Sequence, residues 1–140
     1  MSSNTNPQEE FISLLHKPFP YPSGVEVVLN EAPFELQEEL HTVLITALGN
    51  VSSVPQVLAV IFADRNIKEI LWKCLQYCLY DKSGTPLKVT KQLFNDKPEA
   101  KQDLYALQVN CLAKNIIPFL PALISMLKTL GTTKIFANQE

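Results

Sequence analysis

Apolar residues recur at helical spacing over most of the chain. Ile67, Ile70, Leu71, Cys74, Leu75, Cys78 and Leu79 form the most continuous stripe and predict a helix from Ile67 to about Tyr80. Leu36, Leu40, Val43, Leu44 and Ala47 share one face of a second predicted helix, from about Pro33 to Leu48, ending at Gly49. Val57, Leu58, Val60, Ile61 and Phe62 make residues 54–64 apolar all round, which predicts a short central helix. A first helix is expected over Pro7 to His16, presenting Phe11, Leu14 and Leu15. The last starts at Asp96 and passes Leu104, Leu107 and Cys111. Pro118 and Pro121 must kink or break it, since each removes a helix bond and clashes one turn back. It resumes from about Phe119 to Leu130, before Gly131.

Start signals agree with this pattern. A capping residue is followed three positions on by Glu or Gln in Asn6-Pro7-Gln8-Glu9, Ser53-Val54-Pro55-Gln56, Asn66-Ile67-Lys68-Glu69 and Asp96-Lys97-Pro98-Glu99. In each, the cap accepts a bond from an orphan backbone N–H and the acid or amide reaches back. Other stretches resist helix. Pro18, Pro20 and Pro22 alternate with other residues, so Lys17 to Gly24 is expected to be an extended arm. Val25 to Leu29 is the one strand candidate, with an arm laid on helices or on another subunit as the other reading. The Asp81-Lys82-Ser83-Gly84 turn stops its helix, Thr85 to Val89 is extended, and Thr90 caps a short turn through Leu93 and Phe94. The expectation is one all-α domain, residues 1–140, of five to six helices, with residues 1–6 and 132–140 as flexible tails.

Composition fits a compact globule: 140 residues, 46% hydrophobic and 19% charged. The net charge of −2 hides an asymmetry. Residues 1–80 hold nine acids and four bases, a balance of −5, and residues 81–140 hold five acids and eight bases, a balance of +3. Such a dipole is either two solvated faces or a guide for head-to-tail contacts between copies. With Arg65 the one arginine, a nucleic-acid partner is not expected. The apolar run Ile116 to Leu127 is shorter than a bilayer span and holds two prolines, so no membrane partner is expected either. Three cysteines without a secretory signal suggest free thiols and a cytoplasmic location.

No side chains assemble a recognisable reaction centre. Cys74 and Cys78, with Cys111 and His16 or His41, nominally supply zinc ligands, but a Cys-x-x-x-Cys inside an apolar stripe suits small core residues better. His41 stands near Glu38 and Glu39 without a nameable nucleophile. Glu35, Glu38 and Glu39 lack the loop spacing of calcium or magnesium ligands. Four isolated glycines build no phosphate loop. Hence no catalytic, cofactor-binding or metal-binding residue is expected, and no enzyme. Trp72 is either a border residue of the core or a partner-binding anchor. Asn115 either bonds carbonyls freed by Pro118 or lies by a kink that shapes a groove lined by Phe119, Leu120 and Leu123.

The order of features from Trp72 onward resembles the small tail-assembly chaperones of tailed bacteriophages and prophages. Trp72, Cys74 and Cys78, Phe94, Pro98-Glu99-Ala100, Asp103, Asn115 and Pro118-Phe119 carry the likeness. It covers about a third of the chain, and Lys88, Lys91 and Lys97 make its loop more basic than the pattern implies. The resemblance implies a non-catalytic binding protein that coats a long helical tape-measure protein and keeps it soluble. The expected partner-binding residues are then Trp72, Phe94, Asn115, Pro118, Phe119, Leu120 and Leu123. Two other classes stay open: a small ligand-binding domain or enzyme with a pocket at the Pro118–Pro121 kink, using His41 and the glutamates, and a homo-oligomeric scaffold that exchanges its arm.

Overall fold

A computed structural model describes residues 16–47, 54–82, 84–122, 125 and 129. The expected helix over residues 7–16 therefore lies outside the described residues except for His16, as do the stop at Gly49, most of the segment after Ala122, and Leu123. The chain is mostly helical. The helices bounded among the described residues are α1 (Phe34–Ala47), α2 (Val54–Ala63), α3 (Arg65–Leu75), α4 (Lys91–Asp96) and α5 (Leu104–Ile116), with 3-10 turns at Pro98–Asp103 and Ile117–Phe119. A small antiparallel sheet, β1 (Val27–Val28), β2 (Leu79–Tyr80) and β3 (Leu87–Lys88), corrects the all-α expectation. Val27 pairs with Tyr80 and Val28 with Leu79, while Leu79 also pairs with Lys88 and Tyr80 with Leu87, so β2 is the middle strand.

The helix expected from Ile67 to Tyr80 is shifted at both ends. It opens two residues earlier than the Asn66–Glu69 signal, because Asp64 accepts the Ile67 N–H at 2.9 Å. The Asp64 N–H also donates to the Val60 carbonyl, at 2.7 Å, so one residue closes α2 and opens α3. At the other end, Tyr77 N–H donates to the Cys74 carbonyl and Cys78 N–H to the Leu75 carbonyl, tightening the last turn. Leu79 and Tyr80 then leave the helix for the sheet. A left-handed Asp81 (φ 65°) turns the chain back, and a Cβ at Gly84 would sit 2.6 Å from the Asp81 carboxylate, which would have to shift to admit it. Asp96 does not start the last helix either. It ends α4, and Pro98 opens a 3-10 turn that delivers the chain to α5. Thr90 holds the cap position of α4 without a side-chain bond.

Ile67, Ile70, Leu71, Cys74 and Leu75 put the buried face of α3 against α1 and α5. At about 1.5–3 kcal/mol for each fully buried large side chain, this face is a main source of stability. The central helix is α5 and not α2. From Ala106 to Ala113 every residue of α5 is buried, whereas of residues 59–63 in α2 only Ile61 is. A uniformly apolar sequence marks burial only when neighbours surround it, and α2 packs chiefly on α3.

Polar side chains inside α5 strap the extended arm to the core. Asn110 pairs with the Phe19 backbone as a neighbouring strand would: its Oδ1 accepts the Phe19 N–H at 2.8 Å and its Nδ2 donates to the carbonyl at 3.0 Å. Asp103, at the entrance to α5, accepts the Ser23 N–H (3.1 Å), the Ser23 hydroxyl (2.6 Å) and the Tyr80 hydroxyl (2.6 Å). Asn115 Oδ1 accepts the Ala32 N–H at 2.8 Å and the Gln37 amide at 3.1 Å. Just past the Ser23 tie the arm turns at Gly24, whose φ of +77° suits glycine.

Candidate functional site

The arm, α2 and α5 enclose a groove of about 640 Å³. Phe19, Pro20 and Pro22 form one wall, Phe62 comes from the end of α2, and Gln102, Tyr105, Ala106 and Val109 form the floor and far side. Local sequence explains the shape. Prolines keep the arm extended and spend no N–H on a ladder, so Asn110 must hold it. Tyr105 and Val109 are one helical turn apart and share a face with Ala106, whose small side chain leaves the space. Tyr105 is 64% exposed and meets Phe62 edge-on, with centroids 5.0 Å apart. The lining carries no charged residue and one amide, a setting for apolar contact and not for proton transfer.

The residues expected from sequence fall into two other clusters. Trp72 on α3 meets Phe94 on α4 edge-to-face at 5.8 Å, and Lys91 Nζ lies 5.5 Å from the Trp72 ring centroid, a cation–π contact. Trp72 is half-buried and Phe94 buried. In the second cluster the 3-10 turn at Pro118 delivers Phe119 to α1. The His41 ring meets Phe119 edge-on at 4.9 Å, and Phe34, 58% exposed, lies 6.1 Å from it. His41 Nε2 is 3.3 Å from the Asn115 carbonyl, which only accepts, so this nitrogen carries the proton. With Gln37 and Glu38 these groups line a depression of about 170 Å³, below the usual size of a ligand pocket. Pro118 is exposed and Leu120 buried. Asn115 is wholly buried, and its amide donates to the Cys111 carbonyl at 2.8 Å, so its side chain is spent on the fold.

Sequence reasoning missed Phe19, Pro20, Pro22, Phe62, Tyr105 and Val109. The signal available was Asp103, Asn110 and Asn115, three short polar side chains at the start of and along a mostly apolar helix. Such residues need partners when buried, and the proline-rich arm has the unpaired backbone to supply them. Among the described residues no group of three His, Cys, Asp or Glu is placed to hold a metal ion. No helix among them is long and apolar enough to cross a membrane. No family model matches the chain, nor does any curated protein or solved structure.

Proposed function

We propose that this chain is a non-catalytic binding protein whose groove shields an apolar helix face of a longer client, as tail-assembly chaperones do for a tape-measure protein. The groove is the observation that carries the reading. It is apolar, open to one side, and rimmed by the exposed Tyr105 ring, the residue type enriched in binding hot spots. An amphipathic helix laid in such a groove buries its apolar face and keeps its polar face in water. The resemblance of residues 72–119 supplies the client class, and Gln102, Tyr105, Ala106 and Val109 fall within that block.

The test is titration of synthetic amphipathic helical peptides into the wild-type protein and a Tyr105→Lys variant. Tyr105 is exposed, so the variant keeps its thermal midpoint, and affinity should fall about tenfold or more, the loss of one hot-spot side chain. Equal affinity in a folded variant removes the groove from the account. Saturable thermal stabilisation by a small apolar molecule, with no peptide binding, moves the groove to the ligand-binding class.

A further inference from the structure

The depression between α1 and the Pro118 turn has walls of one chemical kind. Phe34, Gln37, Glu38 and His41 share a face of α1 by helical spacing, and the 3-10 turn brings Phe119 to them. The Phe119 ring stands at 89° to the His41 ring and at 48° to the Phe34 ring, so the three rings are angled walls and not a stack. The space they line, about 170 Å³, suits one small head group.

Every side-chain donor in this wall is already spent. Gln37 has two amide N–H groups, and one goes to Glu31 Oε1 and the other to Asn115 Oδ1, each at 3.1 Å. His41 gives its Nε2–H to the Asn115 carbonyl, so Nδ1 of the neutral ring can only accept. The phenylalanines own no donor. Glu38 is exposed, and its carboxylate forms no ion pair among the described residues.

The wider field has the same sign. No Lys or Arg occurs from Pro18 to Asp64, a stretch that holds Glu26, Glu31, Glu35, Glu38, Glu39 and Asp64. The full charges of the glutamates at the start of α1 outweigh the partial positive charge of the helix end. Lys114 of α5 lines a different depression, with His16 and Pro18. Aromatic rings, acceptors and an unpaired carboxylate, with no free donor, attract a cation. The aromatic wall selects among cations. A bare ammonium is strongly hydrated and must shed water that phenylalanine rings do not replace, whereas a charge wrapped in methyl groups packs on them directly.

We propose that Phe34, His41 and Phe119, with Glu38 at the rim, form a cage for an N-methylated ammonium group. The group is the trimethylammonium head of a small molecule or of a modified lysine side chain. The rings surround its methyl groups and the Glu38 carboxylate balances its charge. This inference is independent of what the groove binds.

The test is NMR titration of the protein with choline and with its neutral isostere, in which carbon replaces the nitrogen. Choline should bind saturably, its methyl resonance should move upfield in the ring currents, and the isostere should bind roughly tenfold more weakly. Phe34→Ala and Glu38→Gln lie at exposed positions and keep the fold, and each should weaken choline binding several-fold. Glu39→Gln, outside the cage, should change it less than Glu38→Gln. A peptide carrying trimethyl-lysine and the same peptide unmodified form the second arm. Tighter binding of the methylated peptide than of choline assigns the head group to a protein side chain, and no tighter binding assigns it to a small molecule. The proposal is overturned if neither choline nor the methylated peptide saturates, or if the isostere matches choline. Equal binding of the unmodified peptide, or affinity unchanged in the folded Phe34→Ala and Glu38→Gln variants, overturns it too.

Discussion

Asp103 is the residue on which the arm, the sheet and α5 converge, and replacing it by Ala removes three bonds at once. Its carboxylate is wholly buried. The Ser23 donors lie at an exposed residue and turn to water when the acceptor goes, so their loss is modest, about 1 kcal/mol together. The Tyr80 hydroxyl is different. Tyr80 is 3% exposed and its proton faces Asp103 at 2.6 Å, so it is left unsatisfied in the core at a cost of about 1–3 kcal/mol. The expected loss for Asp103→Ala is therefore about 3 kcal/mol, near 10 °C in the thermal midpoint of a domain this size. A double-mutant cycle with Tyr80→Phe, read by urea unfolding, isolates the pair. The coupling should be about 1.5–3 kcal/mol, as for a hydrogen bond to a charged group. Additivity within about 0.5 kcal/mol would show that Asp103 does not hold the Tyr80 hydroxyl, and the account of the strap would fail.

Further outcomes follow from the same contacts. Burial, with Asp103 accepting its proton, pushes Tyr80 up to about 12, above the ordinary 10. A raised value favours the neutral form in the fold, so this stability is complete below pH 10 and is lost as pH rises from 10 toward 12. Urea unfolding across that window should show the loss, reduced in Tyr80→Phe. Asp64→Ala should cost about 1 kcal/mol, the value of an N-cap, with Asn66→Ala near zero. Asn115→Ala orphans the Ala32 N–H and leaves the Gln37 amide with its Glu31 bond alone, and should cost about 2–4 kcal/mol by the same measurement.

The helical period of the sequence located the start of α1 to within a residue, because its apolar face is regular. It failed where local and distant partners compete. Leu79 continues the α3 stripe at helical spacing, yet Val27–Val28 and Leu87–Lys88 offer its backbone a ladder, and Tyr80 gains Asp103 only from the sheet. Val25 to Leu29 had read equally as strand or arm; Val27–Val28 is a strand and the residues before it are an arm. Residues 54–64 looked central because composition was taken for burial, while the polar Asp103, Asn110 and Asn115 disguised α5, the helix that is buried. The groove was illegible for a related reason. Its walls come from residues about 80 apart in the chain, Phe19 to Pro22 and Gln102 to Val109, and no local pattern announces a contact over that distance.

The central claim is that the groove receives an apolar helix of a longer protein. Its most direct test places a photo-crosslinking phenylalanine analogue at Tyr105, with the same analogue at Tyr77, 44% exposed and outside the groove, as control. Irradiation in the native source, followed by mass spectrometry of the adducts, should join position 105 to an apolar helix face of one long protein, with no such adduct from position 77. Equal adducts from both positions, or none from 105 in a folded protein, would contradict the account.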